Sequence, residues 1–441
     1  MTNQSETDLF SLAQGLALRT SSADVRDQAN LSLLRRHLLH ATTTPFYRQR
    51  FQDMGFTPDH LETLEDFQKL PLTNRQDIDL DPAAFVPSGN LVPVDIALTS
   101  GTTGEAVVVP YTQQDLKRLA FNEMMAFHRV GIKPGDKVQL CVTLDRCFIA
   151  GLAYYSGVVM LGGSAIRSGP GKSAWQWELI RKLKPVALVG VPSFLLYLAR
   201  WGREHGFNPH ESGIKSLVTI GEPIRKSDMS LTALGEDLQE AWGAKAYASY
   251  GATELETAFC DCSAAAGGHV HPELIHVEIV DDEGNNVEPG EPGEVVVTPL
   301  GVQGFPLVRF RTGDIARLHV EPCACGWQTP RLGPIEGRLA QRLKFKGTTL
   351  YPETIFQVLA EIPEVAAFYV EAHSTYDLAD EVKVIVGTDA KILLADIEDK
   401  LQARLRVRPE VIVQPTAEVM AVIDKEDGRK QKKFFDLRKV S

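Results

Sequence analysis

Thr99-Ser-Gly-Thr-Thr-Gly-Glu105 interleaves hydroxyls and glycines over seven residues and runs straight into the apolar stretch Ala106-Val-Val-Val-Pro110. Gly101 and Gly104 let the backbone turn tightly and expose its N–H groups, while Thr99, Ser100, Thr102 and Thr103 add hydroxyl donors. Such a loop wraps a polyanion such as a triphosphate. It lacks the Gly-Lys-Ser/Thr ending of the Walker loop, so the nucleotide-hydrolase reading does not fit. Taken alone, the heptad has a lesser alternative as a solvated turn between two strands. What surrounds it decides.

From about residue 95 to 260, short apolar runs alternate with helical patterns. Val138-Gln-Leu-Cys-Val142, Ala187-Leu-Val-Gly190 and Leu217-Val-Thr-Ile220 read as buried strands, with the helical stretch Ala174–Leu183 between the first two. This alternation implies crossover connections and a mostly parallel sheet covered on both faces. Ligands of such sheets bind outside the carboxyl ends of the strands. Ile220-Gly-Glu-Pro223 and Tyr250-Gly-Ala-Thr-Glu254 both fall at such ends.

On either side the character differs. The first ~85 residues read as helical, with Leu31, Leu34 and Leu38 at 3–4 spacing. Leu274–Val280 and Glu294–Leu300 flank dense turn signals, Asp281-Asp-Glu-Gly-Asn-Asn286 and Pro289-Gly-Glu-Pro-Gly293, and predict an antiparallel sheet or small barrel. A boundary falls at Gly337-Arg338. Beyond it come a helix over Pro352–Ile362, strands over Ala366–Glu371 and Glu381–Gly387, a helix carrying Leu394, Ile397, Leu401 and Leu405, and a strand at Val411–Val413. The expected fold is α/β: an N-terminal domain over 1–337 with mixed, mostly parallel helix-covered sheets plus a small antiparallel subdomain, and a mobile α+β lid over 338–441.

Length and composition agree with two unequal domains. The 441 residues are 44% hydrophobic and 23% charged, as in a soluble globular protein. No stretch approaches the ~20 consecutive apolar residues that span a bilayer. The opening Met1–Asp8 has neither a basic nor an apolar leader region, so the cytoplasm is the expected compartment and no membrane partner is expected. A net charge of −11 argues against a general nucleic-acid binder.

The ordered series continues from 99–105 and Tyr250–Glu254 to Arg311-Thr-Gly-Asp314, Gly337-Arg338 and a terminal cluster, Arg429-Lys-Gln-Lys-Lys433. It resembles the adenylate-forming superfamily of acyl-CoA synthetases, luciferases and adenylation domains, and most closely the phenylacetate–CoA ligase family. Thr44-Pro-Phe-Tyr47, Lys69-Leu-Pro-Leu-Thr73 and Ile220–Pro223 are similar to that family's signatures too. The resemblance implies an AMP-forming acid–thiol ligase that joins ATP to an aryl or arylacetic acid and passes the acyl group from the adenylate to coenzyme A. Kindred readings are a carrier-protein or cofactor acceptor, and a degenerate nucleotide binder.

The resemblance also implies roles. The 99–104 loop would hold the β- and γ-phosphates, with Thr102 or Thr103 near Mg²⁺. Gly221, Glu222 and Pro223 would form the adenine-side loop. Tyr250 would lie on adenine beside Gly251, Thr253 near the α-phosphate, and Glu254 would bind Mg²⁺, an ion that takes one or two carboxylates plus phosphate oxygens. Asp314 would accept the ribose hydroxyls and Arg338 would reach ribose or phosphate. Lys430 would bring a cation to the α-phosphate and substrate carboxylate. Two positions depart from the pattern: Glu105 stands where lysine is usual, and Gln341 where the hinge residue is usually acidic or lysine. A homodimer is implied by the resemblance alone.

Six cysteines are too few for a disulfide scaffold. Cys141 and Cys147 read as small core residues. Cys262, His269, Cys323 and Cys325 resemble a structural Zn²⁺ site of some phenylacetate–CoA ligase relatives, with Cys260 and His271 as spares; three thiolates and an imidazole would close a tetrahedral site. Phe148, Gly151, Tyr154 and Tyr155, with Pro192, are the candidate acyl pocket, aromatic rings beside glycine suiting a flat acid.

Overall fold

Val138 and Leu140 join one apolar cluster while Gln139 between them hydrogen-bonds on the opposite side, and the central sheet is built on that alternation. The structure, a computed structural model, describes residues 10–99, 106–345, 348–374, 380–390, 392–424 and 431–438. Two compact units emerge. The first comprises Met1–Leu231, Gly235–Thr312 and Ala316–Pro334; the second comprises Thr232–Leu234, Gly313–Ile315 and Ile335–Ser441.

In the first unit, strands β1 (Lys137–Leu140), β2 (Ser164–Arg167), β3 (Ala187–Gly190), β4 (Ser216–Ile220), β5 (Lys245–Tyr250) and β6 (Phe259–Cys260) lie in the order β2-β1-β3-β4-β5-β6. The first five are parallel and β6 is antiparallel to β5. Helices α1 (Gln113–Arg129) and α2 (Ile149–Met160) cover one face, burying Phe121, Met125, Phe127, Tyr154 and Val158 against Val138, Leu140, Val189 and Val218. Helices α3 (Ser173–Leu183), α4 (Pro192–Glu204) and α5 (Ala233–Trp242) carry the other cluster. There Trp177 stacks on Trp242 and Phe207, and both indole N–H groups donate to α4 carbonyls, Leu198 and Leu195, at 2.9 Å. The sheet is therefore helix-covered on both sides, as the solid apolar runs of its strands require.

A second sheet holds β7 (Gly268–His269), β8 (Ile275–Val280), β9 (Pro292–Pro299), β10 (Phe310–His319) and β11 (Arg331–Leu332) in the order β8-β9-β10-β11-β7. The β8–β9 pair is antiparallel across the turn-rich 281–291 segment. N-terminal helices are stitched to this region. The Tyr47 hydroxyl accepts the Val308 N–H at 2.8 Å, the Thr73 hydroxyl donates to the Val308 carbonyl at 2.7 Å, and the Thr73 N–H donates to Arg309 at 2.9 Å. Both N-terminal signatures are thus fastening points. Arg309 itself pairs with Glu278 through two bonds, at 2.8 and 3.0 Å.

Arg118, wholly buried on α1, ties three chain segments together. Its guanidinium donates to the carbonyls of Glu256 (2.7 Å), Leu300 (2.6 Å) and Leu274, and to the Thr257 hydroxyl at 2.9 Å. The Glu256 carboxylate lies 4.0 Å away. An arginine so placed satisfies the Glu256 and Leu300 carbonyls and adds a second donor to Leu274, whose carbonyl also accepts the Leu300 N–H at 2.7 Å.

The second unit contains a sheet of β12 (Ala367–Ser374), β13 (Asp380–Gly387), β14 (Glu410–Gln414) and β15 (Phe434–Asp436), ordered β14-β13-β12-β15. Residues alternate cleanly. Phe368, Val370 and Ala372 pack with α6 (Pro352–Ala360) and α7 (Leu394–Leu405), whereas Ala367 and Tyr369 pack with Val419 and Ile423 of α8 (Thr416–Ile423). Helix α8 and strand β15 are additions to the sequence reading. One expectation is corrected: Cys147 is exposed in a left-handed turn with φ +54°, not a core residue, whereas Cys141 is buried. Among the described residues no helix is long and apolar enough to cross a membrane.

Replacing Arg118 with Met leaves the buried Glu256 and Leu300 carbonyls without their donor, each at a cost of ~1–3 kcal/mol, and takes a second donor from Leu274. The expected loss, read from urea unfolding, is about 3–5 kcal/mol.

Candidate active site

The register Ile220↔Ser249 sets Gly221 beside Tyr250 at the carboxyl edge of two adjacent parallel strands. Gly221 has φ +88°, a turn that favours glycine. Glu222 accepts hydrogen bonds from both the N–H and the hydroxyl of Ser193, each at 2.9 Å. Its carboxylate therefore sits on the first turn of α4, where Pro192 occupies the opening position and the helix end favours an anion. Pro192 is buried there, opening a helix rather than ending a strand.

Beyond β5, the Tyr250 ring stacks on Phe259 with centroids 6.2 Å apart, and Gly251 leads into the short 3₁₀ turn Thr253–Leu255. Glu254 meets a cation: Arg75 Nη1 donates to its Oε1 at 3.0 Å. Arg75 also binds Asp79 at 2.7 Å and opens a helix whose start is fixed by the Asn74/Asp77 capping box. Arg75 was not among the residues singled out in the sequence. The signal was there, a cation two residues past Thr73 at a capped helix start.

Thr99 closes the base of the hydroxyl-rich loop. Its N–H donates to the Val107 carbonyl at 3.1 Å, and its hydroxyl accepts the Val107 N–H at 3.0 Å. Ser100, Gly101, Thr102, Thr103 and Gly104 lie outside the described residues, as does Lys430. In the second unit Asp314 and Arg338 are register partners, and Arg338 Nε lies 3.2 Å from Asp314 Oδ1. The Arg338 side chain is 56% exposed whereas Asp314 is largely buried, so the pair adds little stability and only the guanidinium stays open to solvent. Gln341 ends a 3₁₀ turn, Leu339–Gln341. Arg438 fastens the segment just past Gly337-Arg338, donating to the carbonyls of Arg342 (2.8 Å) and Ala340 (3.3 Å) while pairing with Asp380 and Asp436.

The acyl-pocket candidates divide by role. A Cβ on Gly151 would lie 1.9 Å from the Thr143 carbonyl, so only glycine lets α2 start against that loop. Phe148 precedes the helix at its cap, and Tyr155 lies under the Arg167 guanidinium at 5.7 Å. Tyr154 is buried, and its hydroxyl lies 3.2 Å from that of Ser249, the residue before Tyr250. One turn further along α2, Gly157 admits α1 so closely that an added Cβ would lie 2.3 Å from that of Glu123. Glu123 is buried, its Oε2 has no hydrogen-bond partner, and burial pushes its carboxyl up to about 8.

Four side chains converge elsewhere in the first unit. The ligand atoms of Cys262, His269, Cys323 and Cys325 all lie within 4.8 Å of one another, forming a group that could hold a metal ion. Cys262 Sγ is 3.6 Å from Cys323 Sγ, and Cys325 Sγ is 3.3 Å from His269 Nε2. Ligands around one tetrahedral cation with metal–sulfur bonds of ~2.3 Å stand about 3.7 Å apart, so the spacing fits. His269 Nδ1 faces the Thr329 carbonyl (3.1 Å) and hydroxyl (2.9 Å). A carbonyl only accepts, so Nδ1 carries the proton and Nε2 keeps the lone pair a metal needs. The spares are engaged otherwise. His271, whose pKa burial holds well below the usual range, accepts from the buried Arg19, and Cys260 packs in the apolar cluster of the parallel sheet. Trp327 lies beneath the guanidiniums of Arg19 (5.1 Å) and Arg129 (4.9 Å) and meets His269 edge-on.

The sequence profile of the AMP-binding enzyme family matches residues 57–302. The chain belongs to that family. Among curated relatives of this AMP-binding enzyme, the phenylacetate-coenzyme A ligase of Thermus thermophilus is 28% identical over 419 residues, covering 90% of this chain and 92% of that one. That of Escherichia coli is 27% identical over 443 residues, covering 96% and 97%. A crystal structure of 2-hydroxyisobutyryl-CoA ligase in the postadenylation state, in complex with 2-HIB-AMP, superimposes with TM-score 0.84 at 25% identity, covering 96% of this chain and 91% of that one. ATP-bound MatB from Rhodopseudomonas palustris shares the fold at 20% identity and TM-score 0.58, covering 75% and 65%.

Glu123 makes stability pH-dependent. Its folded carboxyl titrates at about 8 against the ordinary 4.5, so the folded state holds the proton more tightly. That contribution is full below 4.5 and is lost as pH rises through 8. The Tyr154 hydroxyl and the Cys260 thiol, the groups facing it, are both raised well above their usual values and stay neutral across this range. Glu123→Gln in the AMP-binding enzyme is expected to flatten the fall in unfolding free energy between pH 5 and 8; an unchanged slope would contradict this.

Proposed function

We propose that this AMP-binding enzyme is an acid–CoA ligase that activates an aryl or arylacetic acid with ATP and passes the acyl group from the adenylate to coenzyme A, releasing AMP and pyrophosphate. The observation that carries the reading is that Gly221 and Tyr250 directly follow the paired residues Ile220 and Ser249 at the carboxyl edge of β4 and β5, where parallel sheets take ligands. Chain-long likeness to acid–CoA ligases supports the chemistry.

A carboxylate is a poor electrophile because its charge repels nucleophiles and its leaving group would be oxide. Adenylation replaces oxide with AMP. In our reading residues 99–104 receive the triphosphate, and Gly221–Pro223 with Tyr250 and Gly251 receive the adenine. Thr253 donates to the α-phosphate and Asp314 with Arg338 receives the ribose. Lys430 brings positive charge to the transferring group. Glu254 already faces the cation of Arg75, so its carboxylate fits Mg²⁺, which when bound would neutralise phosphate charge. Phe148, Tyr154 and Tyr155 wall the acyl end. Residues 1–337 form the AMP- and acyl-binding domain and 338–441 the lid that turns between half-reactions, with Gln341 near the hinge. We assign Zn²⁺ to Cys262, His269, Cys323 and Cys325 as a structural ion, because a closed set of four ligands leaves no open position for catalysis. Cytoplasmic ATP and coenzyme A suit this reaction; a homodimer remains part of the proposal.

Carboxylate-dependent exchange of pyrophosphate into ATP tests the first half-reaction, and added coenzyme A the second. Exchange with at least one acid is expected, and Lys430→Ala should lower it about 10²–10³-fold. ATP binding without exchange for any acid would overturn the ligase reading. Elemental analysis should find about one zinc per chain, lost together with thermal stability in Cys323→Ser.

A further inference from the structure

We propose that Glu123 determines specificity at the inner end of the acyl pocket, and that the acid activated there carries a hydroxyl or amino group that hydrogen-bonds to the Glu123 carboxyl. This rests on the ligase reading above and narrows its substrate class.

Glu123 occupies an apolar strip of α1. The residues one turn away on either side, Leu119, Ala120, Ala126 and Phe127, are all buried and apolar. The cations nearest along the helix are committed elsewhere, Arg118 to carbonyls and Arg129 to the Trp327 ring. Glu123 is 3% exposed, and Oε2 is buried with no donor. Leaving such a group unpaired costs about 1–3 kcal/mol, whereas leucine or valine would complete the strip at no such cost. Other buried polar atoms also lack a partner, both carboxylate oxygens of Glu256 among them, but Glu123 is the orphan that lies opposite Gly157, one turn from the acyl-pocket candidate Tyr154. A partner arriving from outside the chain would satisfy it there.

Its position says which partner. Glu123 lies opposite Gly157 of α2, and Tyr154 stands one turn away on that helix face. The Tyr154 hydroxyl reaches Ser249, directly before the Tyr250–Glu254 signature. The carboxyl, the phenol and the serine hydroxyl thus follow one another from the α1–α2 crossing to the end of β5. An acid held with its carboxylate at the signature would extend its other end toward Tyr154 and Glu123. A purely hydrocarbon acid leaves the Glu123 carboxyl unpaired on binding. A hydroxyl or amino substituent pairs it, and a buried carboxyl near neutrality both donates and accepts.

One such bond is worth roughly a 10- to 100-fold preference. The test is the kcat/KM for pyrophosphate exchange with matched acids: phenylacetate against its 4-hydroxy and 4-amino forms, benzoate against hydroxy- and aminobenzoates, and isobutyrate against 2-hydroxyisobutyrate. Wild type should favour the substituted member of the accepted pair by about 10- to 100-fold. Glu123→Leu should collapse that ratio through loss on the substituted acid, while Glu123→Gln, which keeps a donor and an acceptor, should retain most of it. The hydroxyl and amino arms separate the two substituents. A wild-type preference for the unsubstituted acid overturns the inference, as does a ratio that survives Glu123→Leu. If that variant does not fold, a Glu123→Gln ratio equal to one overturns it and a retained ratio supports it. Absence of exchange with every acid instead fails the ligase reading itself.

Discussion

A single buried guanidinium holds the candidate site in register. Arg118 lies on the helix that covers the parallel sheet, yet its hydrogen bonds go to the chain just after the Tyr250–Glu254 signature and to Leu274 and Leu300, where the chain enters β8 and leaves β9. Arginine suits the task because its planar fork spreads several donors over acceptors from three separate chain segments. Glu256 follows Glu254 by two residues in a left-handed conformation, φ +47°. Strain of that kind persists only where the surroundings over-determine it, and Arg118 supplies that constraint.

Around this strut the polar groups divide into those already satisfied and those left waiting. Glu222 is occupied by the start of α4, Thr99 by Val107 and Tyr154 by Ser249. Glu254 is balanced by a partly exposed arginine, an arrangement that a stronger cation can displace. Glu123 has nothing. Pre-positioned acceptors of this sort make a pocket selective through what an occupant must bring, rather than through shape alone.

The α/β architecture was legible because parallel strands buried on both faces are unbroken apolar runs, as at Ala187–Gly190, and because their ends carry glycine-rich signatures. The antiparallel pair was legible from the turn residues between its strands. Contacts between distant side chains were not. Arg118, Glu123 and Arg75 sit in charged helical segments, where a lone charge reads as surface, and only packing reveals that two are buried. Cys147 looked like core because it adjoins an apolar run, but the turn that starts α2 pushes it outward. The cysteine pairs were visible as pairs. The resemblance put His269 before His271, and what holds His271 elsewhere, the Arg19 contact made across 252 residues, has no signal in the sequence.

The stitching of Thr73 onto Val308 spans 235 residues, and His37 reaches Leu307 across 270. At synthesis rates of about 5–20 residues per second, these early helices emerge roughly 12–50 s before their partners do. Phe51 can meet Tyr47 and Phe56 at once, but Phe67, buried in the finished fold, packs on His276 and has to wait for it. The N-terminal helices can therefore assemble locally during translation, but they stay unfastened until the residues near 308 have emerged, which ties completion of the site to the last third of synthesis.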